Sequence, residues 1–172
     1  MARRDILQLG NPTLRVNCTA VKGNDEVREL VNDLLDTLHA FRTERGFGRG
    51  ISAPQIGVTQ RIVVIDIGKP MALINPVIVR RSRKQMTLWD DCFSFPDILA
   101  KVNRNLSIEI RYRDEEGKKL SPRAESCLSE LLQHEIDHLD GILAIDRAVD
   151  SKHIVYRSEY ERWFSKHGKV VM

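Results

Sequence analysis

Residues 126–139 read Ser-Cys-Leu-Ser-Glu-Leu-Leu-Gln-His-Glu-Ile-Asp-His-Leu, which is the most informative stretch of this chain. It contains good helix formers, and its apolar side chains recur at helical spacing, so we predict a packed α-helix over these residues. Gly141 follows as a natural helix stop. The predicted apolar stripe consists of Leu128, Leu131, Leu132, Ile136 and Leu139.

The same stretch carries the pattern His-Glu-x-x-His at residues 134–138. Residues four apart on a helix share nearly the same face, so His134 and His138 can bind one metal ion, with Glu135 beside them as a proton carrier. This arrangement is typical of hydrolases that use a metal-activated water. The alternative is a helix with two incidental histidines, because five-residue patterns also occur by chance. The apolar stripe and Gly141 favour the metal site.

The composition is that of an ordinary soluble protein. The chain has 172 residues, 42% of them hydrophobic and 30% charged, with a net charge of +3. We therefore predict a single domain over residues 1–172, and the charge is too small to indicate a DNA partner. No apolar run follows the basic residues at the N-terminus, and no apolar run in the chain is long enough to cross a bilayer. We therefore expect no signal peptide and no membrane partner. Three cysteines make no disulfide framework, which favours a cytoplasmic, reduced protein.

The remaining patterns indicate more strands than helices. We predict an α+β fold in which mixed or mainly antiparallel sheets surround the central metal-binding helix, with an N-terminal and a C-terminal helix. Pro76 suggests an edge or a bulge in its strand. We predict a first helix from residue 24 to about residue 42, a last helix from Asp150, and strands at 61–67, 73–79, 85–89 and 106–113.

A third metal ligand must come from outside the helix, and cysteines are the first candidates. Cys127 lies seven residues before His134, which is about 10 Å along a helix, so we expect a buried, inert thiol there. Cys18 and Cys92 remain, and we favour Cys92 because it follows a strand in a turn-like stretch. His39, His153 and His167 are interpreted as packing or surface residues.

A glycine-rich segment, residues 46–55, joins the first helix to the first strong strand. It does not lead from a strand into a helix, so the pattern does not predict a phosphate-binding loop there. A tight connection is one interpretation. The other is an extended edge that pairs with a peptide-like substrate, with Gln55 as a side-chain donor to an oxyanion.

Three segments together resemble the motifs of the peptide deformylase family. Residues 48–55, Gly-Arg-Gly-Ile-Ser-Ala-Pro-Gln, resemble its first motif, Gly-x-Gly-Φ-Ala/Ser-Ala-x-Gln. Residues 90–94, Asp-Asp-Cys-Phe-Ser, resemble the second, Glu-Gly-Cys-Leu/Ile-Ser, in divergent form. Residues 133–141 match every fixed position of the third, Gln-His-Glu-x-Asp-His-x-x-Gly. Order and spacing agree, and the opening residues 6–15 are also similar to the start of family members.

The resemblance implies one divalent metal ion held by Cys92, His134 and His138. Fe²⁺ is the usual ion in this family, and Ni²⁺, Co²⁺ or Zn²⁺ can replace it. Glu135 would move the proton, and Gln55 would hold the developing oxyanion together with the backbone N–H of the residue after the cysteine, which is Phe93.

The resemblance also implies the reaction, which is removal of the formyl group from the N-terminal methionine of new polypeptides, with release of formate. The partners would be formylated N-termini of nascent peptides, with the ribosome as a candidate partner through the C-terminal helix. A solvated amphipathic helix is the other interpretation of that segment. The residues expected to bind the substrate are Gly48, Gly50, Ile51 and Asp91.

The chain departs from the family pattern at four positions, one of which is Phe93 in place of a smaller aliphatic residue. Asp90 stands where the family has glutamate, and Asp91, which adds a charge, stands where it has glycine. Glu130 lies one turn before His134, where the family is apolar, so we expect it to be paired, solvated or adapted to another first side chain. These departures leave two alternatives: an amidase with a different N-acyl or first-residue preference, and a catalytically weak metal-binding paralogue that acts as an interaction protein.

Overall fold

The structure is a computed structural model that describes residues 3–23 and 27–165. The predicted start of the first helix at residues 24–26, and His167, lie outside the described residues. The described residues form three α-helices, α1 (Val27–Arg45), α2 (Ser126–Leu139) and α3 (Arg157–Trp163). They also form nine strands, β1 (Gly50–Ser52), β2 (Ile62–Asp66), β3 (Pro70–Arg81), β4 (Gln85–Asp91), β5 (Ile98–Asn105), β6 (Ser107–Arg113), β7 (Lys119–Leu120), β8 (Arg123–Glu125) and β9 (Ile154–Tyr156).

The strands form two antiparallel sheets. The larger has the order β1-β2-β3-β6-β7, with β8 pairing with β6, and the smaller has the order β4-β5-β9. The α+β prediction is therefore confirmed. No described helix is both long enough and apolar enough to cross a membrane.

Helix α2 has the predicted bounds and lies at the centre of the molecule. Every residue from Ser129 to Leu139 is buried. One side of the helix packs on the large sheet, and the other side carries two of the predicted metal ligands. The apolar contacts with the sheet hold this helix, and they fix the direction in which its two histidines point. The sheet residues in that core include Val63, Ile65, Leu73, Ile108 and Ile110.

The predicted irregularity at Pro76 is a β-bulge. The pairing of β3 with β6 shifts register between Ile74 and Val77, and Asn75 has a φ of 54°. The Asn75 side chain accepts from the N–H of Val21 at 2.8 Å and donates to its carbonyl at 3.1 Å. These two bonds tie the N-terminal segment to the sheet and stabilise the left-handed backbone.

One prediction about secondary structure was wrong, and several strands, including β5, were not predicted. Strand β5 was missed because its pattern ends in Arg104, an arginine that is only 3% exposed and that no hydrophobic alternation would place inside. The last helix does not begin at Asp150, which instead caps a 3-10 turn by accepting from the N–H of Lys152. The chain next forms β9, which covers the edge of β5, and α3 begins only at Arg157.

Candidate metal centre

The structure brings Cys92, His134 and His138 together in the interior. Cys92 directly follows β4, and both histidines come from α2. Their three ligand atoms lie within 4.8 Å of one another. The Nε2 atom of His138 is 3.3 Å from the Cys92 Sγ atom and 3.2 Å from the His134 Nε2 atom.

The two distances from the His138 Nε2 atom fit a bound transition metal. With bonds of about 2.05 Å to nitrogen and about 2.3 Å to sulfur, neighbouring ligands of a tetrahedral ion are about 3.3–3.6 Å apart. One sulfur and two imidazole nitrogens suit a borderline ion such as Zn²⁺, Fe²⁺, Co²⁺ or Ni²⁺ better than Mg²⁺ or Ca²⁺. The residues present therefore fit a single divalent transition metal with room for water.

A chain of alternating charges orients the first histidine. The Nδ1 atom of His134 lies 2.9 Å from Asp90, so its Nε2 atom is the one turned to the cluster. Asp90 accepts from Arg104 at 3.0 Å, Arg104 also pairs with Asp137, and Asp137 accepts from Arg147 at 2.9 Å. We call Asp90, Arg104, Asp137 and Arg147 the charge network. It joins β4, β5 and α2, and it gives Asp90 the orienting role that the sequence left open.

The surroundings of two carboxyl groups in the site shift their pKa values in opposite directions. Burial alone would raise the pKa of Asp90, but the His134 ring and the Arg104 guanidinium outweigh it and hold that pKa well below its usual range. Burial raises the pKa of Glu135, and His134 and a hydrogen bond from Ser52 oppose the rise only in part. Asp90 thus stays a charged anchor, whereas Glu135 is suited to gain and lose a proton.

Glu135 is 3% exposed and faces β1. The Ser52 hydroxyl contacts the Glu135 carboxylate and lies 2.9 Å from the Glu135 carbonyl. A Cβ atom at Gly50 would come within 2.7 Å of the Glu135 Oε1 atom, so a larger residue at position 50 would force the Glu135 side chain to shift. Sequence reasoning missed Ser52, although it lies inside the glycine-rich segment.

The Gln55 side chain is fixed in one orientation. Its Oε1 atom accepts from the N–H of Ser52 at 2.9 Å, which turns its Nε2 atom toward Cys92 Sγ at 3.5 Å and the Ser94 hydroxyl at 3.3 Å. An amide donor beside the ligand sulfur can stabilise negative charge that develops on a nearby oxygen.

The Phe93 ring packs away from the ligands. It stacks on Phe41 with ring centroids 3.8 Å apart, and it fills the space beside Gly48, where a Cβ atom would be 2.3 Å from the ring. The ring therefore forms part of the wall of the site, and a direct contact with the reacting group is left to the Phe93 backbone. Gly48 has a φ of 126°, which also favours glycine there.

A cleft of about 330 Å³ leads from the surface to the cluster. Gly48, Gly50 and Asp91 line it, together with Cys92, His134 and Glu135. The side chain of Ile51 points into the core and is fully buried, so only its backbone can face a substrate.

The other two cysteines lie outside the centre. Cys18 is buried against the far end of α2, where its N–H donates to the Leu139 carbonyl, and burial raises the pKa of its thiol to about 11. Cys127 is exposed, which corrects the prediction of a buried thiol. It occupies the first turn of α2, where the helix has only begun to enter the core.

Glu130 is paired, which is one of the three predicted outcomes. Its carboxylate is 2% exposed and accepts from the Arg49 guanidinium, which also lies 3.4 Å from the Cys127 carbonyl. Burial raises the pKa of Glu130, and the Arg49 charge opposes the rise. Both residues line the cleft next to His134.

We expect Arg49→Leu to lower the free energy of unfolding by about 3 kcal/mol, because it leaves the buried Glu130 carboxylate without a partner. The double variant Arg49→Leu/Glu130→Leu should return to within about 1 kcal/mol of the wild type, since an apolar pair replaces the ion pair. Urea unfolding of the metal-loaded proteins measures both. A double variant as unstable as the single one would show that the ion pair is not the cause.

The fold and this arrangement of residues match known proteins. The sequence profile of the family described as polypeptide deformylase matches residues 3–153. A peptide deformylase of Thermomicrobium roseum is 38% identical over 172 residues, with 94% of each chain covered. Peptide deformylase 2 of Vibrio cholerae is 43% identical over 150 residues, covering 85% of this chain and 86% of the relative.

Solved structures agree with the sequence comparison. The crystal structure of peptide deformylase from Thermotoga maritima has a TM-score of 0.82 and 31% identity, covering 87% of this chain and 100% of that one. A peptide deformylase from Synechococcus elongatus, in complex with actinonin, has a TM-score of 0.80 and 32% identity, covering 98% of this chain and 87% of that one.

Proposed function

Because this chain belongs to the polypeptide deformylase family and is a metal-dependent hydrolase that removes N-formyl groups, we propose that Cys92, His134 and His138 hold its metal ion. The observation that carries the proposal is the convergence of their three ligand atoms within 4.8 Å in the interior. A divalent ion bound there acidifies water and polarises a carbonyl oxygen. The whole chain then acts as one catalytic domain.

Glu135 is the proton carrier in this proposal. It accepts a proton from the attacking water and delivers it to the nitrogen of the departing amine. Its raised pKa and its hydrogen bond from Ser52 support this role, because the carboxyl group is held in place and can exist in both protonation states.

Gln55 and the backbone N–H of Phe93 stabilise the negative charge that develops on the formyl oxygen. The Gln55 amide is held by the N–H of Ser52, so its donor group is oriented before a substrate arrives. Donors that are fixed in advance stabilise a transition state without the cost of reorganisation.

The substrate backbone pairs with β1. This strand is at the edge of the large sheet, and the Arg49 carbonyl accepts from the N–H of Asp66 on β2. Because backbone groups alternate along a strand, the N–H and C=O of Gly50 point to the open edge, where an extended peptide can add as a further strand. Gly48 lies beside the same edge, and the backbone groups of Ile51, which by this alternation point to β2, hold the edge strand in place.

The size of the site favours a formyl group. Its acyl carbon carries only hydrogen, so it fits between Gly50, Glu135 and the ligand cluster, where even a Cβ atom at Gly50 would meet the Glu135 carboxylate. A larger acyl group would have to displace one of these buried side chains.

The native ion in this proposal is Fe²⁺, as the family resemblance implies, and a thiolate with two imidazoles can also hold Ni²⁺, Co²⁺ or Zn²⁺. In this proposal the substrates are the formylated N-terminal methionines of nascent polypeptides, and the enzyme acts in the cytoplasm beside the ribosome.

The test is turnover of formyl-Met-Ala-Ser beside acetyl-Met-Ala-Ser, with the protein loaded with nickel and, anaerobically, with iron. We expect formate release from the formyl peptide and at least about 10²-fold slower cleavage of the acetyl peptide, as expected when a cramped site excludes a methyl group. No formate from the formyl peptide with either metal would reject the proposal.

A further inference from the structure

Residues of the C-terminal segment line the cleft, although the family profile ends at residue 153. Strand β9 extends the small sheet, and α3 begins directly after it. Arg157, the first residue of α3, and Glu161 line the cleft beside residues from the glycine-rich segment.

Arg157 contacts both sides of the cleft. On one side, its Nε atom donates to the Pro96 carbonyl at 2.8 Å, and a terminal nitrogen donates to Asp91 at 2.6 Å. On the other side, its guanidinium lies over the Phe47 ring, 4.2 Å from the centroid. Its own backbone N–H donates to the Asp97 carbonyl at 2.7 Å. One side chain therefore joins the glycine-rich segment to the loop after β4.

The ion pair with Asp91 is partly removed from water. The side chains of Arg157 and Asp91 are 23% and 25% exposed. Asp91 adjoins the ligand Cys92, so without Arg157 an unpaired negative charge would face the cleft. The Oδ1 atom of Asp91 has no hydrogen-bond partner among the residues that the structure describes, so it can accept from a peptide N–H.

An extended peptide beside β1 can run in one of two directions along this edge. In the direction of Ser52 and Gln55 the site is closed, because both residues are buried in the core. In the other direction it opens past Gly48 to Phe47, and there the Arg157 guanidinium lies. A peptide whose formyl group is at Glu135 must place its following residues along this opening.

We propose that Arg157 makes the C-terminal segment the outer wall of the peptide-binding cleft, where the second and third residues of the formylated peptide lie. Arg157 is a positioning residue, because it acts on the peptide through Phe47 and Asp91. Phe47 offers a ring face to the peptide, and Asp91 accepts from a backbone N–H. This inference rests on the proposed deformylase function.

The test compares a short and a long substrate, formyl-Met-amide and formyl-Met-Ala-Ser, with nickel-loaded protein. For Arg157→Ala we expect kcat/KM to fall about tenfold on the tripeptide, through KM, and about twofold on the amide, as the loss of one charge-assisted contact predicts. Arg157→Lys, which keeps the charge but not the fork of donors, should recover part of the loss.

Arg162→Ala is the matched control. Arg162 lies on the same helix, is exposed, and contacts the Trp163 ring instead of the cleft, so both substrates should be unaffected. Metal content and thermal midpoint are measured for every variant. An equal loss on the two substrates, or no loss on the tripeptide, would overturn the role of Arg157 in binding the peptide.

Binding of the product peptide Met-Ala-Ser, measured by calorimetry against methionine amide, makes the same comparison without turnover. If the wild type releases no formate, the proposed function fails. If Arg157→Ala then still binds Met-Ala-Ser about tenfold more weakly than the wild type does, the outer wall is supported independently of the reaction. Equal binding by the two proteins overturns it.

Discussion

We expect the Glu135→Gln variant to bind its metal ion as fully as the wild type and to release formate about 10²–10⁴-fold more slowly. Glutamine has the same size as glutamate and can still contact the Ser52 hydroxyl, so the packing against Gly50 should persist. It cannot accept and return a proton, and proton transfer is the contribution that is lost. Metal analysis and steady-state kinetics on formyl-Met-Ala-Ser measure the two quantities.

Glu125→Gln is a matched control for this experiment. It makes the same chemical change at the residue before α2, where the side chain is exposed and pairs with Arg123. Its activity should equal that of the wild type. If Glu135→Gln kept most of the activity, another group would have to carry the proton, and the role given to Glu135 would be wrong.

We expect Cys92→Ala to abolish stable metal binding and, with it, activity. The wild type should hold about one transition-metal ion per chain, and the variant less than about a tenth of an ion after dialysis, because two imidazoles alone bind such ions weakly. Elemental analysis of the purified proteins gives the occupancy directly.

The two other cysteines provide the controls. Cys18→Ala removes a buried thiol that lies in a different part of the core, and Cys127→Ala removes an exposed one. Both variants should keep full occupancy. A fully occupied Cys92→Ala protein would instead point to Cys18 or another ligand, and the centre would have to be reassigned.

Periodicity predicted the elements that bury one apolar face. Helix α2 has the predicted bounds because its leucines and isoleucine pack on a single sheet, and the bulge at Pro76 followed from a residue that cannot donate to a ladder. Strand β5 was not predicted, because the charge of the buried Arg104 is compensated by Asp90 and Asp137. Hydrophobic patterns carry no information about such pairing.

In the site, too, the sequence predicted some residues and not others. Spacing within one helix was enough to place His134 and His138 together, and ordered motifs added Cys92 and Gln55. The partners of the unusual charges were not predictable, because Arg49 is 81 residues from Glu130 and Arg157 is 66 residues from Asp91. Only the folded chain brings such residues into contact, and no local pattern records the pairing.

The charge network affects how an uncharged substrate enters the site and how charged products leave it. Two arginines balance two aspartates, so the network adds no net charge to the interior. With a divalent cation on the proposed ligands, a Cys92 thiolate and a Glu135 carboxylate would balance its charge, and the interior would be electrically neutral. An uncharged formyl amide can enter it without burying a charge. The products, a formate anion and an ammonium group, each carry one, so the interior that admits the substrate favours their departure to water.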